Sequence, residues 1–290
     1  MNNTRDFKAE YKQFLQEYPY QTTNIDGVNV RYQYGGRDGA PVILFFHGLE
    51  MQEMWMPYAV KLCTKYRFLI YEYPFHTAKA DKQIDFASHL LEALSIKKVI
   101  LIGASDGGVY AQIFAHRHPE SVEAMILTTT LTIDSDYVRD LKKERFSTPL
   151  LLALLRIIPA KKEMALLLKK SDGFLECESE EDKAYGRGFY ETVASDLNYK
   201  NRFIHSFKSV YMMKDYPAFE QKDFEHLRGK ILILVPERDV FKKEDQERLI
   251  LLFKGLDAEI HNVPGGHAGF IVQSGIYTGL VDSFLESRNI

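Results

Sequence analysis

The chain of 290 residues is 46% hydrophobic and 27% charged, a globular balance that excludes wholesale disorder. Its formal net charge of −3 gives no sign of the concentrated basic face of a nucleic-acid binder. The length suits one large α/β domain, or a core with an inserted subdomain, better than two independent domains. Two cysteines, Cys63 and Cys177, are too few for a disulfide framework and read as reduced core thiols. Residues 1–20 are polar and charged and lack the apolar region of a signal peptide. The longest apolar stretch, residues 149–159, is broken by Arg156 and falls far short of the ~20 residues needed to span a bilayer. A cytoplasmic chain without a membrane span is the expectation.

A first helix is predicted over about residues 6–17, followed by an extended pair, residues 20–34, turning at Asp26-Gly27. A rhythm then begins. Short apolar runs at 42–46, 68–71, 99–102 and 124–127 are too short for helices and too uniformly apolar for half-exposed strands. Each reads as a strand buried on both faces. Helical patterns lie between them, around 55–66, 83–94 and 108–117, as βαβ crossovers in a parallel, doubly wound sheet require.

From about Asp134 to Asp215 only helical patterning remains, so this segment reads as a cap or lid inserted into a core formed by residues 1–133 and 216–290. Its charges segregate: residues 137–170 hold nine Lys/Arg against three Asp/Glu, and residues 171–196 hold two against eight. Two solvated helix faces account for this; a basic, Leu-rich face for anionic lipids is the other reading. The strand rhythm resumes at 231–235, with a helix near 244–253, a short strand at 259–263 and a final amphipathic helix over about 268–286.

The strongest chemical signal is Gly103-Ala104-Ser105-Asp106-Gly107-Gly108, directly after one predicted strand and before a helix. A serine there sits on a tight turn that projects its hydroxyl from the sheet edge, flanked by small residues because the chain has no room for larger ones. Such a hydroxyl needs a base, and the base an orienting acid. Of nine histidines, His267 lies on the Gly-rich loop Val263-Pro264-Gly265-Gly266, between the last strand and the last helix and on the edge that carries Ser105. Asp239 follows the 231–235 strand by a short loop on that same edge. It is favoured over its neighbours Glu237 and Asp245, and over Asp134 and Asp136, because one helix and one strand then separate it from His267. The Asp106 N–H, at a helix start, and the Leu49 N–H, in the loop after Phe46-His47-Gly48, are the candidate oxyanion donors. His47 reads as a buttress of that loop.

With these motifs on about residues 20–287, the chain resembles the α/β-hydrolase superfamily. The resemblance implies an eight-stranded, mostly parallel sheet flanked by helices, a helical cap after the sixth strand, and an acyl-enzyme mechanism with no cofactor or metal. A small-molecule acyl substrate is the implied partner. One departure is the segment Tyr71-Glu72-Tyr73-Pro74-Phe75-His76, where many relatives carry Asp-x-Pro-Gly-x-Gly. Asp106 also resembles the acidic neighbour of the nucleophile in valacyclovir-hydrolase-type enzymes, which pairs with a substrate ammonium. Asp106, with Glu50, is therefore a candidate substrate-binding group, against the simpler reading that it favours the helix N-terminus. The expected function is a carboxylesterase-like serine hydrolase. A carbon–carbon bond hydrolase of the same fold, or a receptor or signalling protein with a slow hydrolase site, is the alternative.

Overall fold

A computed structural model describes residues 5–176, 178–196 and 198–290, so the reading of Cys177 lies outside the described residues. Eight strands form one sheet: β1 (Gln21–Ile25), β2 (Val28–Gly36), β3 (Val42–Phe46), β4 (Arg67–Tyr71), β5 (Val99–Ala104), β6 (Val122–Thr128), β7 (Ile231–Pro236) and β8 (Glu259–Val263). Their spatial order is β1-β2-β4-β3-β5-β6-β7-β8. Strands β1 and β2 form the antiparallel hairpin that Asp26-Gly27 signalled, and β2 runs antiparallel to β4. All later neighbours pair parallel. The architecture is the mostly parallel eight-stranded α/β-hydrolase fold with helices on both faces.

The uniformly apolar runs follow from this layering. On β3, Ile43 and Phe45 face a core shared with the helices Phe7–Glu17, Met56–Leu62 and Ser274–Ser287. Val42, Leu44 and Phe46 face the opposite core, built with the helices Ala80–Ala93, Asp106–Arg117 and Lys243–Lys254. Strand side chains alternate between faces, so a strand covered on both sides must be apolar at every position. Burying each such side chain contributes about 1.5–3 kcal/mol.

Among the described residues between β6 and β7 lie five α-helices: Ser135–Lys143, Ser147–Ile157, Ala160–Phe174, Glu180–Ser195 and Tyr199–Met212. The final helical stretch is broken at Gln273 into Gly269–Val272 and Ser274–Ser287. None of the described helices is long and apolar enough to cross a membrane.

Candidate active site

Ser105 sits between β5 and the helix Asp106–Arg117 with φ 56° and ψ −133°. A non-glycine residue pays of order 1–3 kcal/mol for such a backbone, so the surroundings must impose it. They do. The Ser105 N–H donates to Thr129 O at 3.1 Å. Its carbonyl accepts from Thr130 Oγ1 at 2.5 Å and from the Gly108 N–H at 3.1 Å. The small neighbours are obligatory, since a Cβ on Gly107 would come within 2.2 Å of Phe46 O, and one on Gly103 within 2.6 Å of Gly107 O.

His267 and Asp239 meet across two loops that are themselves bonded, Glu237 N–H to Val263 O at 2.9 Å and Arg238 N–H to Gly265 O at 3.2 Å. His267 Nδ1 lies 2.7 Å from Asp239 Oδ1. The Asp239 side chain is buried and also accepts the Phe241 N–H at 3.2 Å and Gln246 Nε2–H at 3.1 Å. An ionised carboxylate only accepts, so Nδ1 carries the proton and Nε2 is left as the basic nitrogen. The rings of Phe174 and Phe241, centred 5.5 and 5.2 Å away, bracket the imidazole.

Ser105 and His267 line the same cavity. Its free volume is about 40 Å³, and its remaining wall is mainly apolar, including Leu49, Met51, Met54, Phe174, Phe189 and Tyr190. No Lys, Arg, Asp or Glu is among its wall residues.

Two of the sequence candidates already have partners here. The Leu49 N–H does not point at an empty oxyanion position: it donates to Asp106 Oδ1 at 2.9 Å. Asp106 and Glu50, candidates for binding a substrate cation, are not part of the cavity wall. Asp106 Oδ2 instead accepts from Ser206 Oγ at 3.4 Å, and burial pushes its carboxyl up to about 6. Glu50 Oε1 lies 2.5 Å from His205 Nδ1, whose Nε2 lies 2.8 Å from Thr77 O. A carbonyl can only accept, so Nε2 is protonated, and one further proton must bridge Nδ1 and Glu50. Burial pushes the Glu50 carboxyl up to about 7. Both arrangements have the same physical cause. The loop after β3 packs against the helix Tyr199–Met212, and the Glu50 carboxylate of that loop and the Asp106 carboxylate beneath it are taken up in hydrogen bonds there.

Several residues that hold the site escaped the sequence reading. Leu49 and Glu50 are consecutive non-glycine residues in the left-handed region, φ 48° and 53°. The helix Tyr199–Met212 clamps them: Tyr199 OH donates to Leu49 O at 3.2 Å and Arg202 Nη1 to Glu50 O at 3.0 Å. The buried Arg202 also donates to Gln52 Oε1 (2.6 Å), Glu53 Oε1 (3.1 Å) and Asp196 Oδ2 (2.8 Å). Glu178 does the equivalent for the His267 loop, accepting the Gly266 N–H at 2.7 Å and Gln273 Nε2–H at 2.6 Å. The buried His47 is stacked on Tyr73 at 4.0 Å, and the Tyr73 hydroxyl bonds both its N–H and its carbonyl. Burial holds its imidazole well below the usual histidine range. The departing Tyr71–His76 segment thus supplies a brace for the His47 loop.

Among the described residues no group of three or more His, Cys, Asp or Glu is placed to hold a metal ion. The family model for the alpha/beta hydrolase fold matches residues 41–272. The chain belongs to that family, and hydrolase chemistry is what the membership supports.

Three solved structures illustrate the likeness. A bacterial membrane phospholipase A, described as a virulence factor, is 17% identical with a TM-score of 0.69, over 98% of this chain and 92% of that one. A meta-cleavage product hydrolase from Pseudomonas fluorescens is 21% identical with a TM-score of 0.68, over 94% and 99%. A thermophilic esterase from Thermogutta terrifontis is 17% identical with a TM-score of 0.68, over 92% and 98%. At these identities the likeness is one of fold. The sequence matches no curated protein.

Proposed function

We propose that the protein is a serine hydrolase that cleaves a carboxylic ester or related acyl bond through an acyl-enzyme intermediate. The observation that carries this reading is the convergence of the strained Ser105 turn and the Asp239–His267 pair on one apolar cavity. In the mechanism, His267 Nε2 takes the Ser105 proton as Oγ attacks the acyl carbon, and later delivers it to the leaving group. Asp239 fixes the tautomer and stabilises the imidazolium. The Asp106 N–H, a first-turn amide with no intrahelical acceptor, stabilises the oxyanion. The Leu49 N–H joins it once the carbonyl oxygen displaces the Asp106 carboxylate. No cofactor is required.

The substrate class follows from the wall. Leu49, Met51, Met54 and the rings of Phe174, Phe189 and Tyr190 suit an apolar acyl chain, and the wall carries no cation for the carboxylates of a carbon–carbon hydrolase substrate. A volume of about 40 Å³ is far below the roughly 300–1,000 Å³ of occupied small-molecule sites. The five helices between β6 and β7, within residues 134–215, therefore act as a cap that opens to admit substrate. The test is turnover of short-chain p-nitrophenyl esters and labelling by a fluorophosphonate. Both vanish in Ser105→Ala, and undiminished hydrolysis in that variant rules the mechanism out. Tight ligand binding with negligible turnover in the intact protein would favour the receptor reading.

A further inference from the structure

The hydrolase reading leaves unexplained the most conspicuous surface feature of the inserted helices. Of the twelve large apolar side chains exposed among the described residues, six fall within residues 146–166. Four of them, Phe146 (74% exposed), Leu150 (62%), Leu154 (50%) and Ile157 (78%), are spaced four, four and three residues apart. On a helix that spacing places them in one stripe. The stripe lies opposite Leu155, the buried residue of the helix Ser147–Ile157. The inner face is fixed: Lys200 Nζ donates to Ile158 O at 2.5 Å and to Arg156 O at 3.1 Å, tying the helix end to the helix Tyr199–Met212.

The charge around this stripe is one-sided. Residues 137–170 hold nine Lys/Arg and three Asp/Glu. Of the three acids, Asp140 is already paired with Arg139 and Lys143, and Glu163 is buried. The basic side chains that flank the stripe in sequence, among them Lys142, Arg145, Lys161 and Lys162, are exposed, and Arg145 lies over the Phe146 ring at 4.7 Å.

We propose that the helix Ser147–Ile157 docks this apolar stripe into the surface of an anionic lipid bilayer, with the flanking lysines and arginines on the lipid headgroups. The combination of a protruding aliphatic and aromatic face with a cationic border is the physical signature of a helix lying in the interfacial plane. Each basic residue near a negatively charged leaflet adds about 1 kcal/mol, or roughly a fivefold change in partitioning. At eleven residues the helix is far too short to span the ~30 Å hydrocarbon core, so it lies on the membrane and does not cross it. A second copy of the chain is a poorer occupant. A two-fold interface sets the same patch against itself and would oppose two surfaces of like positive charge. The proposal stands independently of the role assigned to Ser105.

The experiment is co-sedimentation of the full chain with vesicles of phosphatidylcholine alone and of phosphatidylcholine mixed with phosphatidylglycerol. Binding is expected on the mixed vesicles, at least about tenfold tighter than on the neutral ones and weakening as salt rises. Leu150→Glu with Leu154→Glu abolishes it, and Lys161→Glu with Lys162→Glu weakens it by roughly tenfold or more. Leu251→Glu, an exposed leucine far along the chain, leaves it unchanged. All these variants replace exposed side chains, so retained melting temperatures and retained turnover of a soluble short-chain ester separate lost docking from lost folding. Equal binding to both vesicle types, or none to either, overturns the proposal. So does a dimer in vesicle-free buffer that the Leu150→Glu, Leu154→Glu variant dissolves, since the stripe would then be a contact between copies.

Discussion

Replacing Asp106 with alanine removes the carboxylate that accepts the Leu49 N–H at 2.9 Å. On the proposed mechanism a developing oxyanion competes with that carboxylate for the donor. A hydrogen bond to a charged group is worth about 1.5–3 kcal/mol, and one oxyanion donor is typically worth about 2.7–4 kcal/mol. Releasing the donor should therefore recover most of the 1.5–3 kcal/mol. At about 1.4 kcal/mol per factor of ten, this raises kcat/KM for a neutral ester by roughly 10- to 100-fold. The loop should hold, because Tyr199, Arg202 and His205 still tie down Leu49 and Glu50.

The advantage of the variant should depend on pH. Asp106 ionises at about 6, and its protonated form is the weaker acceptor, so the gap between variant and parent narrows below pH 6 and widens above it. Asp106→Asn, which keeps a carbonyl acceptor without the charge, should fall between the two. The assay is kcat and kcat/KM on p-nitrophenyl acetate and butyrate from pH 5 to 8, with melting temperatures alongside. An unchanged or lower kcat/KM in a variant that melts normally would refute the reasoning. It would make Asp106 a support of the site or a contact of the substrate.

Asp239→Asn should lower kcat by about 10⁴-fold at unchanged fold, because the amide stabilises the imidazole tautomer whose Nε2 is already protonated; steady-state ester hydrolysis checks it. Arg202→Ala strands the buried Glu53 and leaves Asp196 without its partner. Breaking such a pair costs about 3–5 kcal/mol, so thermal melting should fall by roughly 6–20 °C. Glu50 ionises at about 7 in the fold, raised from 4.5 by burial, with His205, Asp106 and Arg202 as its charged neighbours. The native state therefore binds more protons than the unfolded chain between those values. The Glu50 contribution to stability is greatest below pH 4.5 and falls as pH rises to about 7. Urea denaturation of Glu50→Gln should show a flatter pH dependence across that window than the parent.

The strands of the sheet were readable because each physical cause was local. A strand covered on both faces cannot carry a polar residue, so β3, β5 and β7 announce themselves as unbroken apolar runs. The Ser105 turn was readable for a similar reason: contacts of 2.2 and 2.6 Å at Gly107 and Gly103 forbid any side chain there, and that prohibition is written in consecutive residues. Strand order was not readable. That β4 lies between β2 and β3 depends on which apolar faces meet, and the runs themselves do not specify it. The partner of a backbone N–H is likewise silent in sequence, which is why Leu49 was taken as a free donor while Asp106, 57 residues away, was already holding it.

The same blindness affected the inserted helices, with a consequence for how the site opens. Tyr199, Arg202, His205, Ser206 and Ser209 recur every three or four residues on the helix Tyr199–Met212, a spacing that normally marks a solvated polar face. In the fold this face is buried, and its partners lie about 100 to 155 residues earlier in the chain for Arg202, His205 and Ser206. A buried polar seam of this kind resists separation, because every broken bond leaves a desolvated group behind. The helix Glu180–Ser195 is also held, through Tyr185 OH to Glu10 at 2.6 Å and Phe189 against Phe7 at 5.3 Å. The helix Ala160–Phe174, which brings Phe174 to the cavity and to His267, is held mainly by apolar packing, with Met164 and Leu167 buried and Phe174 stacked on Tyr190 at 6.3 Å. Its link to the next helix includes the exposed pair Arg187–Asp172 at 3.3 Å, and such pairs contribute about 0–1 kcal/mol. Parting apolar contacts strands no polar group, so if a wall yields to an acyl chain it is expected to be the Phe174 side and not the polar seam.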